Sequence, residues 1–153
     1  DTGVSKATVA KTRSARAANR NTVLVYPGTG GSVSVDGHTL KVPPGAVAQP
    51  TFFMLQVVEA NAIHVRLKAW RASDAAAVTQ FPNVPVELSL DVSDLETLDL
   101  SELVVVYLRD GTYAGAKEPV PTVVSGSTRI TGYLTHFSQY AVAFAREYSP
   151  GID

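Results

Sequence analysis

The 153-residue chain contains no cysteine. That removes a disulfide framework, a thiolate zinc site and a cysteine nucleophile together. Histidine is scarce, with only His38, His64 and His136, placed on three separate predicted strands. None stands at a paired ligand spacing, so they read as separate surface or strand-end side chains, with no metal and no cofactor implied. Charged residues make up 18% of the chain and the formal net charge is −1. Such a balance gives no general attraction to nucleic acid or an acidic membrane. No apolar run approaches the ~18 residues of a membrane helix, so membrane insertion is not expected. There is no internal repeat and no low-complexity tract.

What is present is apolar and β-branched. Hydrophobic residues make up 45% of the chain, a globular composition, and a chain of this length buries about two-thirds of the surface it exposes when unfolded. Charge is distributed unevenly. Residues 1–20 hold Lys6, Lys11, Arg13, Arg16 and Arg20 against Asp1 alone, whereas the remainder holds 8 basic and 13 acidic side chains. With Val4 and Val9 as its only larger apolar residues, the 1–20 segment buries too little to order itself. It reads as a basic arm, either flexible or ordering on a partner or a neighbouring subunit.

The texture changes at residue 21, where the domain is expected to begin. Thr22 to Tyr26 is a β-branched and aromatic run stopped by Pro27-Gly28-Thr29-Gly30-Gly31. This glycine cluster lacks the lysine and following helix of a phosphate cradle, so turn chemistry is the better account. Ser32 to Val35 and His38 to Val42 flank Asp36-Gly37, a hairpin-turn signal. Phe52 to Glu59 and Ile63 to Trp70 follow, the second with Ile63, Val65, Leu67 and Ala69 on one face and His64, Arg66 and Lys68 on the other. Residues 71–80 read as a helical or irregular excursion. Val84 to Val92 alternates again, and Leu103 to Arg109 is a nearly continuous apolar run that suits a central strand. Pro119 to Val124 and Ser127 to Tyr133 form another pair. The pattern predicts an all-β fold, an antiparallel β-sandwich of about nine or ten short strands, spanning residues 21–146, with a C-terminal tail over 147–153.

Leu134 to Phe144 reads as the last long strand. Residues two apart on a strand share a face, so His136 and Ser138 are expected side by side. They are the candidate catalytic pair, a base and a hydroxyl nucleophile. The alternative places them in a closing strand whose Phe137 fills the core. Asp91, Asp94, Glu96, Asp99 and Glu102 sit close together near leucines 95, 98 and 100, but lack the glycine and ligand order of an EF-hand, so a solvated acidic loop is expected in place of a calcium site. Trp70 and the tyrosines at 26, 107, 113, 133, 140 and 148 fit core and cross-strand packing, with Trp70 beside Arg71 as the one expected to be exposed.

Several of these punctuation points fall in a familiar order. Gly30-Gly31-Ser32-Val33-Ser34-Val35, then Leu40-Lys41-Val42-Pro43-Pro44-Gly45-Ala46-Val47, resembles the opening of the ZU-five domain, a β-sandwich module. Phe81-Pro82-Asn83-Val84-Pro85-Val86-Glu87-Leu88 is similar to a later strand of that family, and Leu103 to Tyr107 and Thr135 to Val142 complete the series. The resemblance covers about residues 21–145. Some members with a His-Phe-Ser triplet cut their own backbone between Phe and Ser. By position, that implies a scissile bond between Phe137 and Ser138, with Ser138 attacking and His136 accepting its proton.

The expectation is a non-catalytic structural or interaction module. A chain that begins at Asp1 suits a processed, extracellular or cell-surface protein whose signal peptide has been removed. Its partners are expected to be proteins: copies of itself in a filament or multimer joined through the basic arm, or neighbouring domains. Self-cleavage is the second expectation. A carbohydrate- or ligand-binding sandwich, suggested by the aromatic count, is the third.

Overall fold

Alternating and β-branched runs become strands throughout. The computed structural model describes residues 8–96, 99–115 and 117–145. The tail over 147–153, Leu98, Tyr148 and the first seven residues of the basic arm lie outside them. The strands are β1 (Lys11–Arg16), β2 (Asn19–Val25), β3 (Gly31–Val35), β4 (His38–Val42) and β5 (Thr51–Val57). Then come β6 (Ala60–Ala62), β7 (His64–Arg71), β8 (Val86–Asp91) and β9 (Leu103–Leu108). β10 (Lys117–Pro119), β11 (Thr122–Gly126), β12 (Arg129–Leu134) and β13 (Gln139–Phe144) complete the described chain.

They form a six-stranded sheet in the order β10-β9-β13-β7-β5-β2 and a five-stranded sheet in the order β11-β12-β8-β4-β3, with β1 and β6 as a separate pair. All the strand pairings are antiparallel. The fold is therefore the all-β sandwich that the sequence predicts, with 13 described strands where about nine or ten were expected. The excess comes from β6 and β10, each only three residues long, and from β1, which lies inside the arm. Between the sheets sits one core, to which Leu40, Leu88, Leu90 and Ile130 contribute from one side and Phe53, Leu55, Val65, Val105 and Val142 from the other. Asp36 and Gly37 both have positive φ, 52° and 84°, the signature of the two-residue turn that best matches strand twist. Gly30 (φ 66°) lies so close to the Val42 carbonyl oxygen that a Cβ there would overlap it, so the glycine cluster is a turn that needs glycine.

The arm departs from the sequence expectation. A boundary at residue 21 falls inside β2, whose register with β5 runs from Asn19 opposite Val57 to Val25 opposite Thr51. Upstream, the Ala10 N–H donates to the Val142 carbonyl at 2.8 Å, and Phe144 N–H donates to the Thr8 carbonyl at 3.2 Å. The described part of the arm is thus folded onto its own domain. The reason lies in β9 and β13, which are apolar on both faces. Val104, Val106, Leu108, Ala141 and Ala143 form a second buried layer, which Val9 and Ala62 join. Burying Val9 against that layer contributes about 1.5 kcal/mol, and Ser14 and Arg16 add contacts to Asp94 at 2.8 and 3.4 Å. The few apolar residues of the arm have a place to go that its own composition does not reveal.

Residues 71–80 are irregular, held by the Arg71–Asp74 ion pair at 2.6 Å and by the isolated Trp70–Ala77 bridge. Downstream, the described part of the acidic stretch includes a 3₁₀ turn, Leu100–Glu102, capped by Asp99.

Candidate functional site

The His-Phe-Ser triplet lies where the chain leaves β12 in one sheet and enters β13 in the other. That crossing breaks the single long strand expected over Leu134 to Phe144. β12 ends at Leu134, β13 begins at Gln139, and Thr135 and Ser138 are bends. The connection is fastened instead to residues 79–81. Phe81 N–H donates to the Thr135 carbonyl at 2.6 Å, Phe137 N–H donates to the Thr79 carbonyl at 2.9 Å, and Gln80 bridges His136. On the far side, Leu67 N–H donates to the Ser138 carbonyl at 2.9 Å.

Phe137 turns inward. Its ring meets Phe81 at 4.6 Å and Phe53 at 5.6 Å between centroids, the latter edge-on, and these three rings fill one end of the sandwich. His136 is held by Tyr140. The Tyr140 hydroxyl donates to the His136 carbonyl oxygen at 2.6 Å and lies 3.3 Å from its ring Nδ1. Tyr140 is wholly buried and stands at the start of β13, with its hydroxyl tied to a backbone carbonyl four residues upstream. This is the geometry of the tyrosine corner found in immunoglobulin-type sandwiches. Burial, and after it the neighbouring Tyr107, raises the Tyr140 hydroxyl above its ordinary value, so it remains a donor. The Tyr107 ring also stands edge-on to His136 at 4.8 Å.

The two candidate catalytic side chains are therefore parted. His136 lines a depression of about 360 Å³ together with Pro85, Tyr107 and Tyr133. Ser138 lines a different one, of about 650 Å³, together with Arg66, Lys68, Trp70 and Thr79. Among the described residues no hydrogen bond joins His136 to Ser138; the ring's partner is Tyr140. Left-handed backbone at a residue other than glycine occurs at Asp36 and Ala75, not at Phe137 or Ser138. Among the described residues, the ring of His136 is held by Tyr140 and lines a depression other than that of the hydroxyl at the Phe137–Ser138 bond. The arrangement fastens the crossing between the two sheets.

The remaining histidines are not surface groups. His38 is 1% exposed and accepts the Asp91 N–H through Nδ1 at 3.1 Å. Burial, reinforced by Arg16, pushes its pKa down to about 4. His64 is 5% exposed, with Nδ1 3.0 Å from the Tyr113 hydroxyl and Nε2 2.8 Å from the Gln139 Oε1, and burial lowers it too. Both keep strand alternation, and burial comes with polar partners, at both ring nitrogens for His64 and at Nδ1 for His38. The described acidic side chains serve local structure. Asp91 accepts Ser93 N–H at 2.9 Å, Asp94 receives Ser14 and Arg16, and Asp99 caps the 3₁₀ turn. No cluster of metal-binding side chains occurs among the described residues. Trp70 is half-buried, stacked on Phe52 at 5.8 Å, and not the exposed ring that its strand-end position suggested.

Two features escaped the sequence reading. Val123 and Val124, read as part of a strand with no face assigned, are 48% and 56% exposed on β11 at the end of the five-stranded sheet. Lys117, unremarkable in sequence, is 1% exposed opposite Leu108 and donates to the Gly115 carbonyl at 3.2 Å. No local signal marks either, since both depend on which strand lies at an edge. Compared with protein-family models and with curated proteins, the chain matches none.

Proposed function

We propose that the chain is a non-catalytic structural and interaction module, a ZU-five-like sandwich of an extracellular or cell-surface assembly, which self-associates edge to edge through β11. The observation that carries this reading is the exposure of Val123 and Val124 in succession. Neighbouring strand residues point to opposite faces, so both faces of β11 stand clear. A terminal strand also leaves its outward N–H and C=O groups without a sheet partner. The stretch Pro121-Thr122-Val123-Val124-Ser125-Gly126-Ser127-Thr128 carries no charge. Two copies meeting antiparallel there bring no like charges together.

The edges of the six-stranded sheet are blunted, and β3, the other edge of the five-stranded one, runs beside β2, whose Asn21 amide donates to the Ser34 carbonyl at 3.4 Å. β10 is three residues long, ends in Pro119, and its Glu118 is ion-paired with Arg109. β2 presents Asn19, Arg20 and Asn21 on its exposed half. Charge, proline and shortness are the usual devices against edge pairing, and β11 has none within its span. An isologous β11 pair would make one continuous sheet from two five-stranded ones. The described part of the basic arm, residues 8–20, is engaged with its own domain and is not the donor in this scheme.

Sedimentation velocity over a range of concentrations tests it. The wild type is expected to form a concentration-dependent dimer, and Val124→Lys to remain monomeric with an unchanged melting temperature. A wild-type chain that stays monomeric throughout, or a Val124→Lys variant that associates equally well, would refute the proposal. The intact mass of the same samples is expected to be a single full-length species.

A further inference from the structure

The depression that Ser138 lines lies apart from β11, none of whose residues line it. It opens at the edge of β7, where β13 stops pairing at Gln139 opposite Arg66 and the irregular segment takes over only at Ala69, whose carbonyl accepts Val78 N–H at 2.9 Å. Lys68 falls in that gap. Arg66, Lys68 and Trp70 alternate along β7 and so share one face of the sheet. All three line the recess, with the hydroxyl-bearing Thr79 and Ser138 across from them. The volume, about 650 Å³, is in the range of small-ligand sites.

Its charge is one-sided. Two cations line it and no carboxylate does. The ion pairs among the described residues use Arg16, Arg71 and Arg109, so no described acid neutralises Arg66 or Lys68; the Arg66 guanidinium has a 3.4 Å contact with the Gln56 amide oxygen. One face of Trp70 is taken by Phe52 at 5.8 Å, which fixes the indole as a wall of the recess. Cations supply charge-assisted hydrogen bonds to a carboxylate. The hydroxyls match sugar hydroxyls, and an aromatic wall suits the apolar C–H face of a pyranose ring.

We propose that this recess binds an acidic sugar, a uronic acid unit of an oligosaccharide, with Arg66 and Lys68 on its carboxylate and Trp70 against its ring. Ser138 then belongs to a binding wall, and its place in the triplet needs no nucleophilic role.

Trp70 is the only tryptophan in the chain, so intrinsic fluorescence reports on the recess directly. The probe is an oligogalacturonate titrated into the full chain at low salt, with a neutral glucose oligomer and sodium sulfate run in parallel. The expected result is a saturable change in Trp70 emission with the oligogalacturonate alone. Lys68→Gln, an exposed substitution, is expected to weaken binding about tenfold, the loss of one charge-assisted contact, and Arg66→Gln with Lys68→Gln to abolish it. Three results would overturn the proposal: no emission change with the acidic oligomer, an equal change with the neutral one, or an equal change with sulfate. Undiminished binding by the double variant would do the same. Performing the titration on the monomeric Val124→Lys variant separates this site from association.

Discussion

Replacing Tyr140 with phenylalanine removes one oxygen atom and leaves the ring, so the effect isolates the fastening of the sheet crossing. Tyr140 is wholly buried, and its hydroxyl holds the His136 carbonyl at 2.6 Å. Loss of the bond together with the stranded carbonyl costs about 1–3 kcal/mol. For a domain of this size each kcal/mol lowers the melting temperature by about 2–4 °C, so Tyr140→Phe is expected to melt about 2–12 °C lower. Alkaline pH gives a second reading of the same bond. Burial raises the Tyr140 hydroxyl above its ordinary value near 10. Above that pH the unfolded chain releases a proton that the folded chain keeps. The stability is therefore complete below about pH 10 and is lost as pH rises further. Urea unfolding between pH 8 and 11.5 should show a steeper alkaline loss for the wild type than for Tyr140→Phe. Tyr107→Phe is the control, because its ring contacts with His136 and Tyr140 survive. A Tyr140→Phe protein within about 0.5 kcal/mol of wild type, with the same alkaline slope, would refute the corner as the fastening.

Acid probes His38. Its pKa is about 4 when folded, against the ordinary 6.5, so the unfolded chain takes up the proton first as pH falls. Stability is full above about pH 6.5, declines below it, and has fallen by about 2–3 kcal/mol at pH 4.5; urea midpoints at pH 7 and 4.5 measure this, and His38→Gln should flatten the difference. The arm is tested by Val9→Ser, expected to destabilise by about 1–2 kcal/mol in the same assay, whereas a flexible arm would give no change.

The architecture was legible because its signals are local. The inward alternation of Val65, Leu67 and Ala69 and the Asp36-Gly37 turn are set by neighbours in sequence, and both are present in the structure. The triplet was legible as a motif but misread as a strand, because its shape is imposed by the Tyr140 hydroxyl and by residues 79–81, far away in sequence. His64 had the outward face assigned to it, yet Tyr113 and Gln139 cover it. The arm looked too polar to fold because the apolar layer receiving Val9 is built by β9 and β13, more than ninety residues on. Edge position, which exposes Val123 and Val124, is a property of strand order and leaves no trace in the residues themselves.

The self-association claim turns on the outward amides of β11, and hydrogen exchange reads them one by one. At low concentration the outward N–H groups within Thr122–Gly126 should exchange quickly, while those facing β12 are protected. At high concentration the outward set should become protected in step with dimer formation, with β10 and β2 unaffected. Exchange of the β11 amides that is independent of concentration, or new protection at β2 in their place, would contradict it.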